Sequence, residues 1–191
     1  MSLPCFDGRL NEAQFVRSWL AKPLLTGAVM PSGRALARAM AGCVDPGSAG
    51  PVIELGPGTG AVTAALVERG VDPARLVLIE FNPVFCGLLR ERYPGATVIE
   101  GDAYGIKRLI PGRHEAAAVV SGLPLFNRPL RLRVRLLADA FALLAAGAPF
   151  VQFTYAMVPP VPRAWSRARV RGLAPVWLNV PPARVFVYRR A

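Results

Sequence analysis

Apolar residues run along this chain in short blocks, and most blocks are followed by a helix-like stretch. Val52 and Ile53 lead through Glu54 and Leu55 into glycines at 56, 58 and 60, after which comes the run AVTAALVERG. Near-continuous apolar blocks of this length are how strands buried on both faces of a parallel sheet read in sequence. The pattern predicts strands at about 51–55, 75–80, 96–100, 115–121, 148–155, 169–180 and 183–189. Helices are predicted between them at about 60–70, 83–93 and 129–146, while GIKRLIPG is too short for more than a turn. Such alternation predicts an α/β fold with right-handed crossovers. VWLNV and ARVFVYRR, separated by Pro181 and Pro182, read as a terminal hairpin with an exposed edge.

Residues 51–191 make one domain on this reading, and residues 1–50 form a helical extension to it. In NEAQFVRSWLAKPLL, Phe15, Val16, Trp19 and Leu20 fall on one apolar stripe, with Arg17 and Lys22 away from its centre. An aromatic stripe with basic flanks suits an interfacial membrane helix, and it suits equally a helix that caps the core. A second helix is predicted from Ser32, after Pro31, through ALARAMAG. No charged N-terminal region precedes a long apolar block, so no signal peptide is expected, and no uninterrupted apolar run approaches the ~18 residues of a spanning helix.

The strand ends carry the candidate chemistry. The glycines Gly56, Gly58 and Gly60 are spaced G-x-G-x-G, which differs from the G-x-G-x-x-G of pyrophosphate sites. Glu54, two residues before them, would repel phosphate and suits a cationic ligand. S-adenosylmethionine has a sulfonium and an ammonium and no phosphate. Glu80 ends the next strand, RLVLIE, where a carboxylate can accept two hydrogen bonds from a ribose diol. Asp102 follows the third, ATVIEGDA, where a carboxylate can accept from the exocyclic amine of adenine. With ELGPGTG, IEFNPVF and EGDA as its first three motifs, the chain resembles the class I S-adenosylmethionine-dependent methyltransferases over about residues 50–191. That resemblance implies a Rossmann-like, seven-stranded, mostly parallel sheet whose last strand is antiparallel. It also implies S-adenosylmethionine as cofactor, S-adenosylhomocysteine as product, no metal, and Phe81 and Ala103 beside the cofactor.

Charge and inventory narrow the chemistry further. The net charge is +11, and 23 basic residues, all arginine except Lys22 and Lys107, face 12 acids. An overall biased composition explains an abundance of arginine, but these cluster at 128–135, 163–171 and 184–190, which reads as phosphate-seeking. A mean hydropathy of +0.36 in so basic a chain favours a membrane-associated surface. Cys5, Cys43 and Cys86 have no metal-like spacing and fit a reducing cytoplasm. The single histidine, His114, is expected near the start of the fourth strand, away from the catalytic edge, so histidine-based triads and metal sites are excluded by inventory.

The fourth strand runs into VVSGLPLFN, where amino-methyltransferases place an N-P-P-Y-like turn that holds the target nitrogen. Ser121 stands for the asparagine and Leu125 for the aromatic that stacks on a flipped base, changes that weaken a nucleobase target. With ELGPGTG, EFNP, GDA and a basic amphipathic N-terminus, the whole is similar to bacterial phosphatidylethanolamine N-methyltransferases. The resemblance implies methyl transfer to the lipid amine, toward phosphatidylcholine, at the cytoplasmic face of the cell membrane. It further implies phosphatidylethanolamine and anionic lipids as partners, without nucleic acid. Backbone carbonyls of Ser121, Gly122, Leu123 and Pro124 then orient the nitrogen, and water, Tyr104 or an apolar site deals with its proton. A ribosomal RNA adenine dimethyltransferase shares the early motifs and is the alternative.

Overall fold

The structure, a computed structural model, describes residues 31–111 and 115–191. The expected interfacial helix with Phe15, Arg17, Trp19 and Lys22 lies outside the described residues, as do Cys5 and His114. Helix α1 (Pro31–Ala41) is followed by β1 (Val52–Leu55), α2 (Ala61–Glu68), β2 (Leu76–Glu80), α3 (Pro83–Arg92) and β3 (Thr97–Glu100). Then come the single-turn α4 (Ile106–Leu109), β4 (Ala118–Ser121), α5 (Leu130–Leu143), β5 (Phe150–Thr154), the short α6 (Arg163–Ser166), β6 (Ala168–Gly172) and β7 (Arg184–Arg190).

All seven strands form one sheet in the order β3-β2-β1-β4-β5-β7-β6. β7 lies antiparallel to both its neighbours, and the other strands share one direction. The sheet is the expected doubly wound one, with the last strand reversed. Strand periodicity divides its side chains between two cores. Val52, Leu76, Leu78, Val120 and Val151 pack on the α1–α2–α3 face, against Met40, Leu66 and Leu89. Ile53, Leu55, Ile79, Val119 and Phe150 pack on the other face, against Ile106, Leu136 and Phe141. The same alternation puts Glu54 and Glu80 on the first face, and Ser121 and Gln152 on the second. Leu36, Ala37, Met40 and Ala41 share the first core, so this part of the N-terminal extension is built into the domain.

The terminal hairpin differs from expectation. β7 pairs with Ala168–Gly172, in the register Ala168↔Arg190 to Gly172↔Phe186, while VWLNV contributes only the Val176–Ala183 bridge. Pro175, Pro181 and Pro182 supply no N–H to a ladder, and so 173–183 becomes a loop and the predicted strand ends at Gly172. The edge strand β6 turns Arg169 and Arg171 to solvent, which discourages edge-to-edge pairing. Among the described residues no helix is long and apolar enough to cross a membrane.

Candidate functional site

The carboxyl ends of β1, β2 and β4 meet at one edge, where open α/β sheets place their ligands. After Leu55 the chain turns sharply, with Gly56, Gly58 and Gly60 all at positive φ (67°, 57° and 82°). Gly56 N donates to Ile79 O at 2.9 Å, which sets the loop against the end of β2. A Cβ on Gly58 would meet nothing within 4 Å, so that backbone borders open space, whereas one on Gly56 would come within 2.8 Å of Leu123 Cδ2. The glycine loop and the turn after β4 are therefore nearly in contact. Gly122 N donates to Leu55 O at 2.8 Å and closes the gap.

Glu80 clamps this loop. Its Oε2 accepts from Gly58 N at 3.0 Å and its Oε1 from Asn82 N at 2.9 Å. Asn82 in turn caps α3, its side chain accepting from Val84 N at 2.9 Å with Pro83 at the first helical position, which accounts locally for the EFNP signature. Each carboxylate oxygen keeps a second lone pair for a ligand hydroxyl. Glu80→Ala is expected to weaken cofactor binding about 10–100-fold, because a charge-assisted bond and the loop's anchor are lost together. Calorimetric titration with S-adenosylmethionine checks this, and unchanged affinity would remove Glu80 from the site.

Glu54 lies deeper. It is 2 % exposed, and its Oε2 accepts from Thr63 Oγ1, in the first turn of α2, at 2.7 Å. Burial, reinforced by the neighbouring Glu80 charge and opposed by the Thr63 bond, pushes its carboxyl up to about 7. A cation beside it would restore the carboxylate. Asp102 is exposed just past β3, where Oδ1 accepts from Tyr104 N at 3.0 Å and starts a single 3-10 turn. Ala103 is buried beneath that turn, and Phe81 is exposed at the start of the β2–α3 loop.

The β4 turn is organised differently from expectation. Ser121 is fully buried, its Oγ 3.4 Å from Leu123 N, so its side chain serves the turn from inside. Position 122 has no room for a side chain, since a Cβ there would stand 2.8 Å from Gly56 O. Leu125 is buried at 2 % exposure and offers no surface for stacking. Gln152, adjacent to Ser121 on β5, donates from Nε2 to Leu123 O at 2.9 Å and to Phe153 O at 2.7 Å, which pins the turn to the next strand. With Leu125 N also donating to it at 2.9 Å, Leu123 O is fully engaged. Tyr104 lies under the Arg128 guanidinium, 5.2 Å from ring centroid to Cζ, and burial raises its phenol above the usual value against the pull of that arginine.

Sequence reasoning missed Thr63 and Gln152. Each is a polar residue inside an otherwise apolar element, AVTAAL and FVQFT, and that local interruption is the signal that could have found them. A surface depression lined by Cys43, Asp45, Gly50, Glu115, Pro149 and Arg189 lies at the opposite, amino edge of the sheet, away from all of these acids.

The arrangement fits S-adenosylmethionine on its own donor set: a buried acid for a cation, a clamped acid for a diol, an open glycine backbone and no phosphate cradle. The family model for ribosomal RNA adenine dimethylases matches residues 43–125. An ornithine lipid N-methyltransferase of Singulisphaera acidiphila is 35 % identical over 108 residues, 54 % of this chain and 56 % of that protein. A ribosomal RNA small subunit methyltransferase A of Cutibacterium acnes is 39 % identical over 100 residues, 48 % of this chain and 32 % of that protein. The chain thus spans about half the length of the first of these relatives and about a third of the second. Among solved structures, the 1,6-didemethyltoxoflavin-N1-methyltransferase of Burkholderia thailandensis, with S-adenosylhomocysteine bound, superposes with a TM-score of 0.69 at 13 % identity over 100 % of this chain and 93 % of that one. Sheet order, glycine loop and strand-end acids agree with these likenesses: the chain has the fold of the class I S-adenosylmethionine-dependent methyltransferases.

Proposed function

We propose that this protein transfers methyl groups from S-adenosylmethionine to the amine of a membrane lipid, phosphatidylethanolamine, as a peripheral protein on the cytoplasmic face of the membrane. The observation that carries this reading is the acceptor turn. Leu125, where a base-methylating enzyme needs an exposed aromatic, is buried at 2 % exposure, and position 122 admits no side chain. Within Ser121–Leu125 what remains to hold an acceptor is backbone, and the next aromatic, the exposed Phe126, is covered on one face by the Arg133 guanidinium. This arrangement suits a small aliphatic amine better than a planar base. The ornithine lipid relative, named for methylating an amine-bearing lipid, supports the same class of acceptor.

The cofactor supplies a methyl group already activated on a sulfonium. The protein's share is alignment and removal of water. Glu80 and the glycine loop hold one partner, Glu54 balances its positive charge, and Asp102 with Ala103 borders its far end. Gln152 fixes Leu123 O, so orienting the nitrogen falls to the other carbonyls of the Ser121–Pro124 turn. Phe15, Arg17, Trp19 and Lys22 are proposed to hold the protein at the anionic lipid surface.

Methylation of ribosomal RNA adenine is the second reading, favoured by the family match over 43–125. That match covers the cofactor-binding half together with the Ser121–Pro124 turn and ends at Leu125. Incubating the protein with labelled S-adenosylmethionine and, separately, phosphatidylethanolamine vesicles, ornithine-lipid vesicles or small-subunit ribosomal RNA distinguishes the readings. Label is expected in phosphatidylethanolamine. Label confined to ornithine lipid would change the headgroup, and label confined to RNA would overturn the lipid reading.

A further inference from the structure

The loops beyond β5 carry an apolar patch that the cofactor and acceptor residues do not use. β5 and β6 are both antiparallel to β7, so the segments leaving Thr154 and Gly172 emerge at the same sheet edge as the acceptor turn. The first presents Tyr155, Met157 and Val158, and the second Trp177, Leu178 and Val180, with Trp177 71 % and Leu178 78 % exposed. Arg184 ties the two loops together, its Nε donating to Leu173 O at 2.8 Å and its Nη1 to Met157 O at 3.4 Å. Arg133 joins the patch to the acceptor turn. It donates to Pro160 O at 2.8 Å while its guanidinium lies 5.0 Å from the centroid of the exposed Phe126 ring.

The second loop is built to display its tip. Val176 and Ala183 close it as a bridge, and Asn179 is buried beneath it, donating from Nδ2 to Pro181 O at 2.6 Å. Trp177, Leu178 and Val180 are thus held outward by an organised backbone, and contiguous apolar exposure of this kind marks a contact surface.

Charge identifies what covers it. Beside the loops lie Arg171 and Arg184, at the ends of β6 and β7 that adjoin them, and Arg133, bonded to Pro160 O, whereas Arg189 and Arg190 end β7 at the opposite edge. Residues 140–191 hold not one acid or lysine. An apolar tip amid arginines with no acid matches a bilayer bearing anionic headgroups: the side chains enter the acyl boundary and the guanidinia stay at phosphate level. We infer that the paired loops 155–160 and 173–183 dock on an anionic lipid bilayer and set the acceptor turn against the headgroups. The orienting consequence rests on the lipid-amine reading, whereas the docking itself does not. Stable peripheral attachment takes two signals, and this surface is a second one beside the proposed N-terminal helix.

The test uses the full chain with Trp19→Phe and Trp165→Phe, which leaves Trp177 as its single tryptophan. Added to phosphatidylcholine–phosphatidylglycerol vesicles with brominated acyl chains, Trp177 is expected to be quenched, and much less so with phosphatidylcholine alone. Protein that sediments with the vesicles while Trp177 stays unquenched overturns the inference. Separately, Trp177→Ser, Leu178→Ser and Val180→Ser combined should weaken vesicle partition about tenfold or more. S-adenosylmethionine binding and methylation of a monomeric short-chain phosphatidylethanolamine should stay unchanged. Undiminished partition, or loss of RNA or protein binding in place of vesicle binding, also overturns it. Quenched Trp177 with no label in any lipid leaves the docking and removes the lipid-amine reading, whereas labelled lipid with unquenched Trp177 does the reverse.

Discussion

Gly122→Ala is expected to lower kcat/KM by about 10²–10³-fold, because a misplacement of about 1 Å between reacting groups costs about 10²-fold by itself. The added Cβ would stand 2.8 Å from Gly56 O and 3.4 Å from Leu55 O. Both neighbours are backbone, so no rotamer relieves the clash. Gly122 N already donates to Leu55 O at 2.8 Å, and the bond must lengthen if the turn retreats. The turn proposed to hold the acceptor is then displaced from the glycine loop proposed to cradle the cofactor, and both halves of the proposed reaction lose alignment. A stability loss of about 1–3 kcal/mol accompanies it, as for other overpacked sites. Gly56→Ala provides the comparison. Its Cβ would meet the flexible Leu123 side chain at 2.8 Å, with strain from φ 67°, so the acceptor turn is disturbed through a movable group. Steady-state kinetics with labelled cofactor and denaturant titrations read both effects. Wild-type kcat/KM in Gly122→Ala would show that the two loops do not jointly define the site.

The ligand-free protein is expected to lose about 3 kcal/mol of stability as pH rises from about 4.5 to about 7, and to change little from this source above that, on the conversion of 1.36 kcal/mol per pKa unit. The group responsible is Glu54, whose carboxyl burial pushes up to about 7 from an unfolded value near 4.5. Between those values the folded state holds a proton that the unfolded state has released, so raising pH favours unfolding. Below 4.5 both states are protonated and the full contribution is present. Glu54→Gln keeps an acceptor for Thr63 Oγ1 and should flatten that segment of the profile. Cofactor binding reverses the preference, because a cation beside Glu54 favours the carboxylate. Affinity for S-adenosylmethionine should therefore rise with pH through about 7, and binding near pH 6 should release a proton, measurable as a buffer-dependent calorimetric heat. A pH profile in Glu54→Gln identical to that of the wild type would assign the slope to another group.

The first five strands and the glycine turn are legible in the sequence because their causes are local. Apolar runs of strand length, glycines that tolerate positive φ and an Asn-Pro helix start each act within a few residues. The acids at 54, 80 and 102 are legible for the same reason, since each sits within two residues of a strand's end. The partner of β7 was not legible: the predicted strand 169–180 contains both the arginine-bearing end of β6 and VWLNV, and only the closure of the sheet together with the prolines of 173–183 chooses between them. Nor was the state of Glu54, since burial under α2 and the proximity of Glu80, twenty-six positions away, set its proton. Gln152 and Gly122 gain their roles in the same way, from strands adjacent in space and distant in the chain. The sequence by itself determined the first five strands, the helices between them and what chemistry their ends carry, because these follow from short-range periodicity and turn geometry. Only the tertiary structure decided which carboxylate is buried, which carbonyl is pinned and which loops share an edge, because desolvation and long-range pairing exist only once the sheet has formed.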